Sequence, residues 1–187
     1  MRPNWFFGFP IDGAFLLGMP ALPKSFRRFH PDDVHMTLAF LGGCGEEAAL
    51  RALAALDECL LAAPIHAMDV SLGEVVPMGS PRKYTALSAL VDRGREEATA
   101  CIAEYRDILT ETAAGRREKR PAKAHVTIAR PRRRATDADR GAGLRWAKTV
   151  DLRAVTPRLD RIALYTWSET RVERMFRIVA ERRILSG

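Results

Sequence analysis

The sequence contains one short motif twice, as His35-Met36-Thr37 within DVHMTLAFLG and as His125-Val126-Thr127 within KAHVTIARP. Side chains two positions apart lie on the same side of a β-strand, so each copy presents an imidazole and a hydroxyl together. Apolar residues flank both copies and predict mostly buried strands. The copies lie 90 residues apart in a chain of 187, which predicts two similar lobes that each contribute one strand to a shared cleft.

The composition is that of an ordinary globular protein, with 47% apolar and 28% charged residues. A chain of this length buries about 70% of its unfolded surface, so we expect one bilobal domain over residues 1–187 that needs no disulfide or metal for folding. Cys44, Cys59 and Cys101 show no C-x-x-C spacing and leave an odd thiol, which favours a reducing cytoplasm. No apolar run is long enough to span a membrane, so we expect no membrane partner.

Positive charge is concentrated around the second motif. The chain has a net charge of +7 and a pI of about 9.8, which makes polyanions the first partners to consider. The basic runs RREKRPAK, at residues 116–123, and RPRRR, at residues 130–134, flank the second His-x-Thr on both sides. The alternative interpretation is that both runs are solvated surface loops.

The order of predicted elements indicates a mixed α+β fold. The Ala- and Leu-rich segment 46–62, with two acidic residues in its first turn, predicts the clearest helix. The other predicted elements are a strand at 4–9, an irregular helix before residue 29, a hairpin of strands at 67–75 and 83–91, helices at 95–114 and 136–148, and closing strands at 159–167 and 172–180. No G-x-G-x-x-G or Walker signature is present, so a dinucleotide or P-loop site has no support.

Two imidazoles and two hydroxyls facing one another suit phosphodiester chemistry. One histidine can activate the attacking oxygen while the other protonates the leaving oxygen, and each role is typically worth about 10²- to 10⁴-fold in rate. The threonine hydroxyls would donate hydrogen bonds to the non-bridging phosphate oxygens. A catalytic zinc would need a third protein ligand, and neither strand offers one at ligand spacing. Arg130 has the opposite parity to His125 in an unbroken strand, so it reaches the phosphate only if the strand ends or bulges there.

The segments PDDVHMTLAFLG, AHVTIARP and IALYTWSE resemble the motifs of the 2H phosphoesterase superfamily, and in particular its RNA 2′,3′-cyclic phosphodiesterases, also called 2′-5′ RNA ligases. The resemblance implies a bilobal α+β fold with pseudo-twofold symmetry, antiparallel sheets that line a central groove, and no metal or other cofactor. It implies opening of a 2′,3′-cyclic phosphate to a 2′-phosphomonoester, with His125 as general base and His35 as general acid. Thr37, Thr127 and Arg130 would bind the phosphate.

Several points remain open at the level of sequence. The substrates expected are RNA ends or nucleotides that carry a 2′,3′-cyclic phosphate, and the expected state is a monomer. The alternatives are a non-catalytic nucleotide- or RNA-binding module and a ligase that joins 2′-5′ linked ends. His30 and His66 lack a threonine partner and are interpreted as surface residues. Aromatic residues that are candidates for stacking on the terminal base are Phe7, Phe9, Tyr84 and Tyr165.

Overall fold

The computed structural model of the protein describes residues 2–185, which form ten strands and three α-helices. The strands are β1 (Trp5–Pro10), β2 (Phe26–Arg28), β3 (His35–Gly42), β4 (Met68–Asp69), β5 (Leu72–Met78), β6 (Ala86–Val91), β7 (His125–Pro131), β8 (Arg158–Leu159), β9 (Arg161–Trp167) and β10 (Phe176–Arg183). The helices are α1 (Glu46–Ala62), α2 (Arg95–Thr112) and α3 (Asp137–Ala147), and short 3₁₀ helices cover Gly13–Gly18 and Pro31–Asp33.

Eight strands form one antiparallel sheet in the order β10-β9-β1-β3-β7-β6-β5, with β2 also paired to β7. The two motif strands β3 and β7 are neighbours at the middle of this order, and a single residue pair, Met36 with Val126, joins them in register. The sheet therefore consists of two halves that separate on either side of this pair. This arrangement confirms the predicted α+β class with an antiparallel sheet.

The helices cover the face of the sheet that is opposite to the motif histidines. Helix α1 buries a stripe of small and aliphatic residues and packs on α2, which in turn packs on β3. In β3 the residues Met36 and Leu38 are almost fully buried, whereas His35 and Thr37 alternate with them. Because successive side chains of a strand point to opposite faces, His35 and Thr37 lie on the face that the helices leave free. Within residues 2–185, no helix is both long and apolar enough to cross a membrane.

Most predicted elements are confirmed, and α1 has the predicted bounds. The last strand differs, because it begins at Phe176 rather than at residue 172. The preceding residues form a loop in which the Ser168 hydroxyl donates to the carbonyl of Arg174 and accepts from the backbone N–H of Arg171. Arg171 has a positive φ of 51°, which a strand does not allow. The segment before residue 29 contains a 3₁₀ helix, where an irregular helix was predicted. It also contains the short strand β2, which the sequence pattern did not indicate.

Candidate active site

The two His-x-Thr motifs lie side by side at the centre of the sheet. The antiparallel pair Met36 and Val126 puts His35 across from Thr127, and His125 across from Thr37. His35 and His125 lie diagonally across this pair, and the charge of His125 contributes to lowering the pKa of His35. The structure thus brings together all four motif side chains that the sequence singled out.

A β-bulge in each motif strand turns one further side chain toward the histidines. Against β1, the residue Leu38 of β3 has no partner, and against β6 the residue Ile128 of β7 has none. An extra residue reverses the alternation of the side chains that follow it. Phe40 in β3 and Arg130 in β7 therefore return to the face that carries His35 and His125. The bulge required for Arg130 to reach a phosphate is present.

The backbone holds both imidazoles in one tautomer. The Nδ1 atom of His35 lies 2.7 Å from the carbonyl oxygen of Asp33, and the Nδ1 atom of His125 lies 2.7 Å from that of Lys123. A carbonyl oxygen only accepts, so Nδ1 carries the hydrogen in both rings. The Nε2 atom of each ring is then free to take a proton or, in the imidazolium, to give one.

Burial lowers the pKa of both histidines because it disfavours the imidazolium. Desolvation is the main cause that lowers the pKa of His35 to about 4, and the charges of Arg130 and His125 add to this shift. The hydrogen bond that His35 donates to the Asp33 carbonyl opposes it. The pKa of His125 is lowered by desolvation and by the charges of Lys123 and Arg120. Four aromatic rings surround the His35 ring, with centroids at 4.7 Å (Phe6), 5.3 Å (Tyr165), 5.6 Å (Phe176) and 6.4 Å (Phe29).

Ser88, which the sequence did not indicate, supports one of the two threonines. It is fully buried on β6, and its hydroxyl oxygen lies 3.2 Å from the Thr127 hydroxyl oxygen. The residue that pairs with Thr37 on β1, as Ser88 pairs with Thr127 on β6, is Gly8. A Cβ atom at Gly8 would lie 2.9 Å from the Met36 carbonyl oxygen and 3.3 Å from the His35 ring, so a side chain there would displace the histidine.

Arg130 lies in a cationic and aromatic environment. Its guanidinium carbon is 5.4 Å from the centroid of the Phe29 ring, a cation–π contact. Desolvation lowers its pKa, and the charges of Arg171 and of Arg27, its register partner on β2, lower it further. Arg171 lies over the Trp167 ring at 4.0 Å from the centroid. Arg171 was not indicated by the sequence, and it brings a second guanidinium to the site.

Asp33 connects the first motif to the loop between β9 and β10. Its buried carboxylate accepts the backbone N–H groups of Met175, at 2.6 Å, and of Phe176, at 3.1 Å. Because the carbonyl of the same residue holds His35, the loop and the histidine share one anchor. Arg174 also pairs with Asp32, at 3.5 Å, which strengthens this connection.

The remaining candidates lie outside the site. Phe7, Phe9, Tyr84 and Tyr165 are each at most 1% exposed, so the interpretation of these rings as stacking platforms is wrong, because all four belong to the core. His66 is exposed, and the half-exposed His30 accepts the backbone N–H of Asp32 and so caps a 3₁₀ helix, as the surface interpretation expects. Within the described part of the chain, no three His, Cys, Asp or Glu residues are grouped to hold a metal ion.

Comparison with known proteins gives one curated relative and a set of solved structures, while no family model matches the sequence. The chain is 28% identical over 142 residues to a Bacillus subtilis (strain 168) protein named RNA 2′,3′-cyclic phosphodiesterase, a match that covers 70% of this chain and 72% of the relative. Escherichia coli LigT, solved in complex with 3′-AMP, superposes with a TM-score of 0.66 at 16% identity over 100% of both chains. TT0787 of Thermus thermophilus superposes with a TM-score of 0.69 at 17% identity over 98% of both chains.

These comparisons confirm the resemblance that the two motifs indicated. The structural matches extend over nearly the whole chain, so the fold is that of LigT and of TT0787. The curated relative supports the same resemblance at the level of sequence.

Proposed function

We propose that this chain, which has the fold and the paired motifs of the 2H phosphoesterases, is an RNA 2′,3′-cyclic phosphodiesterase that needs no metal ion. The observation that carries the proposal is the single register pair between β3 and β7, which sets two imidazoles diagonally across the cleft with both Nε2 atoms free. The curated relative of the same name and the LigT-like fold support it.

In the proposed reaction, one imidazole takes a proton from water while the water oxygen attacks the phosphorus. The bond from phosphorus to O3′ breaks, the second imidazole gives its Nε2 proton to O3′, and a 2′-phosphomonoester remains. The resemblance assigns the base to His125 and the acid to His35. After one turnover the base has gained a proton and the acid has lost one, and proton exchange with solvent returns both rings to their starting states.

The burial of His35 places a condition on its role as acid. With a pKa of about 4 the ring is neutral at pH 7 in the free protein, and a neutral ring has no Nε2 proton to give. The cyclic phosphate is an anion, and an anion beside the ring favours the imidazolium. We therefore propose that binding of the substrate raises the pKa of His35 and so prepares the acid.

Thr37, Thr127 and Arg130 bind the phosphate in this proposal. The hydroxyls donate to non-bridging oxygens, and Ser88 orients the Thr127 hydroxyl through their hydrogen bond. Arg130 compensates the negative charge that a buried phosphate carries, and its position over Phe29 limits its movement.

The test is the hydrolysis of 2′,3′-cyclic mononucleotides, with identification of the product. We expect a 2′-phosphate rather than a 3′-phosphate, activity that survives EDTA, and a bell-shaped dependence of the rate on pH. Loss of activity in EDTA would contradict the metal-free mechanism. Binding of the cyclic nucleotide without turnover would indicate a non-catalytic module, and joining of 2′-5′ ends at a higher rate than hydrolysis would indicate a ligase.

The proposal extends to the setting of the enzyme. Its substrates are RNA ends or nucleotides with a 2′,3′-cyclic phosphate, and it acts as a monomer in the cytoplasm. The cysteines support a reducing compartment, because Cys44, Cys59 and Cys101 are all free thiols. Burial raises the pKa of Cys101 to about 12, so this thiol is unreactive.

A further inference from the structure

A basic cavity lies beyond the end of β7, away from the histidines. It has a volume of about 330 Å³ and is formed where the β5–β6 hairpin loop meets the start of α3. Five cations and one acidic residue line it: Arg82, Lys83, Arg132, Arg133, Arg140 and Asp137. No residue of this cavity belongs to the site proposed above.

The cavity is built by specific contacts between the hairpin loop and α3. Tyr84 is fully buried, and its hydroxyl donates to the Arg140 carbonyl oxygen at 2.7 Å. Gly143 allows this approach, because a Cβ atom there would lie 2.6 Å from the Tyr84 hydroxyl oxygen. Arg132 is fixed from the other side, since its Nε donates to the Lys24 carbonyl oxygen at 3.1 Å. The wall that carries the cations is therefore held in place.

The five cations of this cavity outnumber its one carboxylate, Asp137. Within residues 2–185, none of the five lies within 4.0 Å of a carboxylate. Several arginines elsewhere in the chain do form ion pairs, as Arg182 does with Asp57 at 2.6 Å. The Nε atom of Arg140 is also buried without a hydrogen-bond partner. A group of five cations beside a single carboxylate, with no ion pair among them, is typical of a surface that binds a polyanion.

The position of the cavity relative to His125 suggests which polyanion. Pro131 lines the cavity and ends the strand that His125 begins, so about 20 Å of extended β7 separates them, at about 3.3 Å per residue. Arg130 lies between them, and Arg27 is paired beside it in register on β2. Positive charge therefore continues along β7 from the histidines to the cavity.

We propose that the cavity binds backbone phosphates of single-stranded RNA, several nucleotides to the 5′ side of the cyclic end that the histidines hold. The inference rests on the proposed function and makes it more specific, because it predicts a preference for oligonucleotides over mononucleotides. Contacts to phosphates carry no base information, so the preference depends on chain length and not on sequence.

The test compares kcat/KM for a 2′,3′-cyclic mononucleotide with that for single-stranded oligonucleotides of increasing length that end in the same group. We expect kcat/KM to rise by about tenfold or more once the oligonucleotide is long enough to reach the cavity. The kcat/KM for these long oligonucleotides should decrease as the salt concentration increases. In the triple variant R82Q/K83Q/R133Q we expect this gain to be lost while mononucleotide hydrolysis stays within about twofold. The logarithm of the oligonucleotide binding constant falls linearly with the logarithm of the salt concentration, with a slope of about 0.7 for each phosphate contacted. Loss of three contacts should therefore reduce this slope by about 2.

A matched control separates the cavity from net charge. The variant R93Q/R177Q/R183Q removes three exposed arginines from other parts of the surface, none of which forms an ion pair with a carboxylate of residues 2–185, and we expect it to keep the length preference. Equal loss in both triple variants, or no dependence on length, would overturn the inference while mononucleotide hydrolysis still supports the proposed function. If no substrate is hydrolysed, fluorescence anisotropy with a labelled oligonucleotide ending in a 2′-phosphate tests the cavity alone: weaker binding in the cavity variant only supports it, and equal binding overturns it.

Discussion

Strands β3 and β7 repeat one local structure in two different surroundings. Both begin with a histidine whose Nδ1 is held by a carbonyl two residues earlier, and both contain a bulge three residues after that histidine. The surroundings of the two histidines differ, and so do the side chains that follow the two bulges. Aromatic rings enclose His35, whereas His125 follows a basic loop, and Phe40 in one strand corresponds to Arg130 in the other.

The difference shows how one duplicated geometry can serve two chemical roles. The backbone alone gives both imidazoles the same tautomer, so the two rings are equivalent until their neighbours are considered. The neighbours then set the protonation: the aromatic enclosure lowers the pKa of His35 to about 4, and the pKa of the more open His125 is also lowered. Both shifts favour the neutral imidazole in the free protein, and only the shift of the enclosed His35 is large.

The largest expected effect tests whether both copies are needed. His35→Ala and His125→Ala should each lower kcat for a 2′,3′-cyclic mononucleotide by about 10²- to 10⁴-fold, because each removes one proton transfer. Ligand affinity should change much less, since the threonines and Arg130 remain. His66→Ala, at an exposed histidine outside the cleft, is the control and should leave kcat unchanged. Full activity in either motif variant would show that the site is elsewhere.

The sequence was sufficient for the features that depend on local pattern. The repeated His-x-Thr, the alternation around it and the Ala- and Leu-rich segment of α1 are readable within about ten to twenty residues, and the structure has all of them. The same alternation was uninformative about which aromatic residues are exposed. Phe7 and Phe9 were candidates for stacking on a base, yet both are buried.

The features that the sequence did not indicate depend on residues far apart in the chain. The bulges at Leu38 and Ile128 are properties of the register with β1 and β6, and no local pattern marks them. The start of β10 depends on Asp33, which is 142 residues before Met175. Arg171, whose charge acts on Arg130, belongs to the same loop between β9 and β10. Long-range pairing decided each of these positions.

The second prediction uses the aromatic enclosure of His35. The unfolded chain binds a proton there with a pKa of 6.5, and the folded protein only at about 4, so protonation favours unfolding between these values. The free energy of unfolding should therefore be highest above pH 6.5 and should lose about 3 kcal/mol as the pH falls toward 4. Urea unfolding at several pH values should show this loss in the wild type and a smaller one in His35→Gln. Equal losses in both would contradict the enclosure.

The third prediction compares the residues that hold the two histidines. Asp33→Ala keeps the carbonyl that binds His35 but leaves two buried N–H groups without an acceptor, so we expect a loss of about 2 kcal/mol. Lys123 holds His125 in the same way, yet its side chain is exposed, and Lys123→Ala should change stability by less than about 0.5 kcal/mol.

A positioning role for Asp33 should also be visible in catalysis. If the loop and His35 share this anchor, Asp33→Ala should lower kcat and shift the acidic limb of the pH profile, and Asp33→Asn, which retains one acceptor oxygen, should restore part of both. A loss of stability with an unchanged pH profile would restrict Asp33 to folding.

The smallest expected effect separates Arg130 from Phe40, which the two bulges bring to corresponding positions. Arg130 is a cation and should act on the phosphate, so Arg130→Ala should lower kcat/KM about tenfold for every 2′,3′-cyclic substrate, whatever its base. Phe40 is 56% exposed and can act only by contact with a ring, so Phe40→Ala should cost about 1 kcal/mol for cyclic nucleotides and nothing for a ribose cyclic phosphate that lacks the base. Kinetics with both substrates measure this difference. If removal of the base changes the effect of both substitutions on kcat/KM to the same extent, Arg130 and Phe40 contact the substrate in the same way. The two strands would then differ only in the surroundings of their histidines.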